Sequence, residues 1–244
     1  MKIKKGEWVL LLSKEHSYLL KAEGKMHTSD GIVELKDCKE FGTYVKTHKD
    51  FEFAVVKPNT NDLLNKKMKR MPASIHKKDL GYILSATGLQ KDWKVLEAGT
   101  GSGHATLFFS EHCKEVISYE LREDFYKHVK DNLELLNVKN VELRNKDITK
   151  GIKEKDFDLI LLDMRGSESV IEIATKALKP GGYLVIYSPY IEQSKLVVEK
   201  LVELDYNTPE TSETILRKWD VRDHTLPKRA GMMHTAFITI ARNV

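Results

Sequence analysis

The sequence predicts an α/β protein: a mostly parallel sheet covered on both faces and finished by an antiparallel edge pair, behind a small N-terminal β-barrel-like domain. From about residue 75 onward, strand-like and helix-like segments alternate, and the strand-like ones are apolar throughout, "FDLILLD" most of all. Such strands fit a parallel sheet buried on both faces. Residues 1–57 instead hold only short strand-like segments at regular spacing, the pattern of a small antiparallel sheet or barrel. Pro58 and "NTND" end that pattern. The expected organisation is residues 1–58 as the β domain, 59–74 as a helix or linker, and 75–244 as the α/β domain.

Each element follows from its local pattern. In the first part, "WVLLLS", "SYLLKAE", "GIVELKD", "GTYVKTH" and "FEFAVVK" read as strands, with turn material such as "EGKMHTSDG" between them. Residues 59–71 read as a short polar helix broken at Pro72. In the second part, "SIHKKDLGYILSATGL" is helix-like, "WKVLEAG" a strand and "ATLFFSEHC" a helix. Strand "KEVISYE", helix "EDFYKHVKDNLELLN", strands "VELRNKD" and "FDLILLD", helix "SVIEIATKAL", strand "GYLVIYSP" and helix "QSKLVVEKLVE" follow. The last two strands, around "TSETILRKWDV" and "HTAFITIAR", have no helix between them and form the antiparallel edge pair.

The 244 residues suffice for one medium domain and a small addition. Hydrophobic residues are 41% and charged ones 31%, the balance of a soluble globular protein. No run of about 18 apolar residues offers a membrane span, and the apolar run near the N-terminus is too short for a signal peptide. A cytoplasmic protein is the expectation. Cys38 and Cys113 lie far apart without metal-like spacing, so two buried or free thiols are expected, not a zinc or redox site. His76 and His104 match no ligand spacing, and no metal is expected. The net charge of +4 is unevenly placed. Residues 1–72 hold 15 basic and 10 acidic side chains, and the stretch 65–78 holds six basic residues and no acid. Such a portion attracts nucleic acid or is simply a solvated linker face.

The sharpest motif is "VLEAGTGSGHA", a strand that runs into a glycine turn and a helix. Ligands in such sheets bind beyond the carboxyl ends of the strands. Gly99 and Gly101 permit a tight turn and close approach to a ligand, and Gly103 permits helix–strand packing. A turn without a ligand is the plain alternative. A P-loop is excluded, because GxxxxGK(S/T) is required and His104 and Ala105 follow Gly103. A dinucleotide fits Glu120 at the end of the second strand. Yet Glu97, Asp147 and Asp163 end the first, third and fourth strands. Four carboxylates suit a pyrophosphate poorly and suit a cationic, phosphate-free nucleoside, S-adenosylmethionine. Glu120 is assigned to the ribose hydroxyls and Asp147 to the adenine amine. Glu97 is assigned to the methionyl end, through water or by holding the loop. Each carboxylate taken singly has a plainer alternative, a helix cap or a surface acid.

The sequence resembles class I S-adenosylmethionine-dependent methyltransferases, and more closely the tRNA adenine-N1 methyltransferases that act at position 58, in archaea sometimes also at position 57. "VLEAGTGSG", "SYELRED", "LLDM", "ALKPGGYLVIYSP", "RKWDVR" and "HTAFITIAR" occur in the family's order. The late "RKWDVR" and "HTAF" segments and the leading β domain are the specific part of the match. The resemblance implies a Rossmann-like methyltransferase sheet, a tRNA partner and a homotetramer. The family's Pro and Trp after the strand-four aspartate are replaced here by "DMRGSES", residues 163–169. Its Tyr-Pro-Lys-Asp segment reads "HKKD", residues 76–79, without the usual upstream Gln.

The expected cofactor set is Glu97, Gly99, Thr100, Gly101, Ser102, Gly103, His104, Ala105, Glu120, Leu121, Asp147, Ile148 and Asp163. Asp163 is also the expected catalytic residue, accepting a hydrogen bond from the exocyclic amine of adenine as charge builds on the ring. For the substrate, Arg165 is read as a phosphate contact or a surface ion pair. Tyr190 stacks on a base or is a packed aromatic. His234 stands near the active site or is held in its strand for structural reasons. The alternative reading is a methyltransferase with another acceptor: a different RNA nucleoside, a protein or a small molecule. A non-catalytic tRNA-binding subunit would lack the glycine turn and acids that this chain keeps.

Overall fold

A computed structural model describes residues 1–66, 74–221, 225–228 and 234–244. The chain divides into two compact units, Met1–Lys69 and Arg70–Val244. Pro72 and the middle of the basic stretch 65–78 lie outside the described residues.

The first unit contains β1 (Trp8–Leu12), β2 (Ser17–Lys21), β3 (Lys25–Thr28), β4 (Gly31–Glu34), β5 (Thr43–Lys46), β6 (Glu52–Val56) and α1 (Thr60–Lys66). Strands β2-β1-β6-β5 form one antiparallel sheet, and β3 and β4 form a separate hairpin. Among the described residues the pairings leave this sheet open at β2 and β5. The segment "EGKMHTSDG", expected as turn material, is in part strand β3. Its alternation of exposed and half-buried residues over four positions is too short to stand out in the sequence. Leu11, Val33, Leu35, Cys38, Val45, Phe53 and Val55 form a single core, so the hairpin region packs onto the sheet. Helix α1 belongs with this unit: Lys66 Nζ donates to the Ser17 carbonyl at 2.7 Å.

The second unit contains α2 (Lys77–Thr87), β7 (Lys94–Ala98), α3 (His104–His112), β8 (Glu115–Tyr119), α4 (Glu123–Leu135), β9 (Val141–Arg144) and β10 (Phe157–Leu162). It continues through α5 (Ile171–Thr175), β11 (Leu178–Ser188), α6 (Ile191–Glu203), β12 (Asn207–Glu213), β13 (Trp219–Asp220), β14 (Leu226–Pro227) and β15 (Phe237–Arg242). The sheet order is β12-β15-β11-β10-β7-β8-β9. Strands β9, β8, β7, β10 and β11 are mutually parallel, and β15 runs antiparallel to both β11 and β12. An antiparallel pair is therefore present with β12 on the outside, but β12 (Asn207–Glu213) lies earlier than the expected "TSETILRKWDV": residues 214–218 are not strand, and Trp219–Asp220 pairs with β14 instead. Strand β11 begins at Leu178, earlier than "GYLVIYSP", because Leu178 pairs with Phe157 before a register shift.

Alternation along the strands explains the two covered faces. Leu96, Ala98, Ile160, Leu162, Leu184 and Ile186 pack with Ile171, Ala174, Val197 and Leu201 of α5 and α6. Val95, Val116, Leu159, Leu161 and Val185 pack with Leu80, Ile83, Ala105 and Phe109 of α2 and α3. From β7 the chain steps outward to β8 and β9, then returns to the other side of β7 as β10. The crevice between the carboxyl ends of β7 and β10 is thus a topological switch point, where open α/β sheets bind ligands. Cys38 and Cys113 are buried free thiols. Among the described residues no helix is long and apolar enough to cross a membrane.

Candidate active site

The glycine turn fills one side of the crevice. Gly99 has φ +88°, and a Cβ there would lie 1.9 Å from the Asp163 carbonyl oxygen. The Asp163 amide donates to the Ala98 carbonyl at 2.8 Å, locking the ends of β7 and β10 together. Gly103 has φ +79°, and a Cβ there would lie 2.9 Å from Val129 Cγ1 on α4. These two positions need glycine for conformation and for space.

The carboxylates at the strand ends differ in what they do. Glu97 is buried and accepts hydrogen bonds from Thr106 Oγ1 and from Ser118 Oγ, the latter at 2.7 Å. Ser118 in turn meets Thr100 Oγ1 at 2.6 Å. Glu97 is therefore tied to α3 and β8, and reaches the glycine turn only through Ser118 and Thr100. Burial pushes its pKa up to about 8, against the hydrogen bonds from Thr106 and Ser118. Glu120 is also buried. Its Oε2 accepts from the Gly101 amide at 2.9 Å and its Oε1 from the Arg122 amide at 2.9 Å. The carboxylate is oriented by two backbone donors and retains lone pairs toward the crevice.

Asp147 accepts at one oxygen from the Thr149 amide (2.9 Å) and hydroxyl (2.7 Å). These bonds, the hydroxyl first, hold its pKa below the usual carboxylate range. It does cap a short helical turn over Ile148–Lys150, and its second oxygen stays available. Asp163 is half-buried and its carboxylate has no hydrogen-bond partner among the described residues. Burial, and then the Glu120 charge, push it up to about 7. Ser102 and Ala105 are buried, and Ser102 Oγ lies 2.7 Å from His104 Nδ1. Leu121 is exposed beside Glu120, and Ile148 is buried beside Asp147.

The expected substrate residues separate. Tyr190 is 65% exposed at the start of α6, so it is not a packed aromatic. Arg165 is exposed and has no ion pair among the described residues. His234 is clamped: Nδ1 lies 2.5 Å from Glu213 Oε1 and Nε2 lies 3.0 Å from the Pro189 carbonyl. The Pro189 carbonyl and an ionised Glu213 are both acceptors, so the protonated ring satisfies both partners. The bonds to Glu213 and then Pro189 raise its pKa accordingly. This histidine ties the start of β15 to the ends of β11 and β12 and has no nitrogen left for a substrate. Residues 163–169 turn at Gly166 (φ +71°) into a single helical turn, Ser167–Ser169.

A buried polar cluster was not anticipated as a unit. Asp79 in the first turn of α2 is fully buried. It accepts from Thr214 Oγ1, Lys78 Nζ (2.7 Å), Thr235 Oγ1 (2.7 Å) and the Tyr187 hydroxyl (2.9 Å). Burial pushes its pKa up, but these four bonds outweigh it and hold the carboxyl below its ordinary value. Lys78 also reaches the Thr214 carbonyl and the Thr235 hydroxyl. The cluster pins α2 to the segments that flank Tyr190 and His234. "HKKD" was its only visible trace; the three hydroxyl partners lie more than 100 residues away in the chain.

Among the described residues no group of three His, Cys, Asp or Glu side chains is arranged to hold a metal ion. The model of the family described as "tRNA methyltransferase complex GCD14 subunit" matches residues 52–241. The chain belongs to this family. It is 35% identical to the tRNA (adenine(57)-N(1)/adenine(58)-N(1))-methyltransferase TrmI of Methanocaldococcus jannaschii, over 92% of this chain and 90% of that one. Among solved structures, the tRNA (m1A58) methyltransferase TrmI of Aquifex aeolicus superposes with a TM-score of 0.79 at 26% identity, covering 100% of this chain and 99% of that one. A SAM-dependent O-methyltransferase of Thermotoga maritima superposes with a TM-score of 0.83, also at 26% identity, covering 100% and 95%. The family match spans the glycine turn, all four strand-end acids and the His234 clamp.

Proposed function

We propose that this protein is a tRNA methyltransferase that transfers a methyl group from S-adenosylmethionine to N1 of adenosine 58 in the T-loop, with adenosine 57 as the candidate second target. The observation that carries the reading is Asp163: a carboxylate with no hydrogen-bond partner among the described residues, at the switch point beside the glycine turn, in a member of this family. The donor set fits the cofactor. Glu120 supplies a ribose acceptor, Asp147 an acceptor for the adenine amine, and Leu121 and Ile148 apolar surface beside them. The carboxylates suit a sulfonium and an ammonium group.

When bound, the cofactor supplies an electrophilic methyl carbon on a sulfonium. The chain supplies alignment and charge. Adenine N1 has a free lone pair, so no proton leaves before attack, and the rate depends on holding nitrogen, carbon and sulfur in line. Ionised Asp163 accepts a hydrogen bond from the exocyclic amine and stabilises the cationic ring as it forms. The adenosine is stacked in folded tRNA and must be extruded. Exposed Tyr190 offers it a face, and exposed Arg165 a phosphate contact.

The homotetramer draws support from exposed Ile215, Leu216, Trp219, Val221 and Leu226, an apolar stretch of the kind that partners cover. Light scattering should give about four times the 28.0 kDa chain mass. A tRNA substrate supports a cytoplasmic location. Asp163→Ala tests the mechanism: methyl transfer should fall at least ~100-fold while cofactor affinity by calorimetry changes little. Loss of cofactor binding in that variant would place Asp163 in the cofactor site instead of the base site.

A further inference from the structure

The first unit has a cavity that the proposed chemistry does not use. A groove of about 580 Å³ lies between residues 2–5, 22–24 and 35–40. Its walls are held by backbone hydrogen bonds, Ile3 to Lys39 at 2.9 Å, Phe41 to Met1 at 3.0 Å and Leu35 to Gly24 at 3.0 Å. The floor is apolar, with Ala22, Leu35 and Cys38 buried. Burial pushes the Cys38 thiol up to about 11, so the floor carries no charge there at neutral pH. The rim carries Lys2, Lys4, Lys5, Lys36 and Lys39 against Glu23 and Glu40. Only Lys36 has an ion-pair partner among the described residues, Glu34 at 3.9 Å. The other four lysines are exposed, and their ammonium groups have no ion-pair partner among the described residues.

Exposed ammonium groups along the rim of a groove sum to a local positive potential that attracts a polyanion. Lysines in this arrangement recognise phosphate by charge, without base specificity. We infer that the groove bordered by Lys2, Lys4, Lys5 and Lys39 is a docking site for the RNA phosphate backbone. This rests on the tRNA reading above. The groove thus contributes affinity and orientation, and the crevice of the second unit contributes chemistry.

The test is a full-length variant, Lys2→Ala with Lys4→Ala, Lys5→Ala and Lys39→Ala, beside the same four positions changed to Arg. Binding of unmodified tRNA transcript is measured against salt. The Ala variant should bind at least ~10-fold more weakly at 0.1 M salt. Its log–log salt slope should fall by about 3, at about 0.7–0.9 for each phosphate contact removed. The Arg variant should keep the slope. KM for tRNA should rise, while kcat at saturating tRNA and cofactor affinity stay within about twofold. An unchanged slope and affinity in the Ala variant would overturn the inference. If the Ala variant loses cofactor binding through misfolding, the Lys→Gln set decides by the same slope. Failure of the tRNA reading shows separately, as a wild-type protein that transfers no methyl group to the transcript whatever its salt slope.

Discussion

The two units handle charge in opposite ways. The first displays lysines on its surface around a groove with an apolar floor. The second draws carboxylates inside, where burial pushes Glu97 up to about 8 and Asp163 up to about 7. The contrast follows from what each fold can bury. A small antiparallel sheet with a single core has little interior, so its charge stays solvated and acts at long range. A parallel sheet covered on both faces has a switch-point crevice in which a few acids feel one another and little water. Solvated charge suits a large anion such as RNA, and buried acids suit a small cation.

Glycine substitutions give the widest separation of the two units. Gly99→Ala in the crevice should cost more than about 4 kcal/mol and abolish cofactor binding, because positive φ combines with a backbone clash at 1.9 Å. Gly24→Ala in the first unit also has positive φ (+77°), but nothing lies within 4 Å of the new Cβ, so about 1–2 kcal/mol is expected. Urea unfolding with and without cofactor measures both. Equal costs would mean that the turn at Gly99 relaxes.

Glu120→Ala should weaken cofactor binding by about 10–100-fold, the loss of one or two hydrogen bonds to a charged acceptor, and leave tRNA affinity unchanged. An unchanged cofactor dissociation constant would remove Glu120 from the ribose. Tyr190→Ala should act the other way, raising KM for tRNA about tenfold with cofactor affinity intact, as expected for a lost base-stacking face.

The smallest effect is the pH response. Asp163 has its folded pKa raised from 3.8 to about 7, and Glu97 from 4.5 to about 8. Between those limits the folded state keeps protons that the unfolded state has lost. The stability these acids contribute is present at low pH and is lost as pH rises through about 7 and 8. The cofactor-free protein should therefore melt at lower temperature at pH 8 than at pH 6, with the cofactor narrowing the gap. Methyl transfer should rise over the same range as Asp163 ionises, and Asp163→Asn should flatten that rise. A rate independent of pH in the wild type would mean that the ionised Asp163 is not the active form.

The parallel sheet was legible because continuous apolar strands such as "FDLILLD" have one stable solution, burial on both faces. Glu120 and Asp163 were legible because each directly follows an apolar strand, β8 or β10, whereas Glu97 lies inside β7 and Asp147 lies three residues past β9. Other features were not. Hairpin β3–β4 was half hidden because "KMHT" alternates over only four residues. The role of His234 as a clamp depends on Glu213 and the Pro189 carbonyl, which no local spacing relates to it. The Asp79 cluster joins Lys78, Tyr187, Thr214 and Thr235 through the tertiary fold alone. The lysine groove combines segments that read in sequence only as a basic bias.

The most direct test incubates the purified protein with methyl-labelled S-adenosylmethionine and an unmodified tRNA transcript, then digests the RNA and identifies the labelled nucleoside and its position. The account predicts N1-methyladenosine at position 58, with or without position 57. Label in any other nucleoside, or none in tRNA while the cofactor still binds, would contradict it and move the acceptor elsewhere.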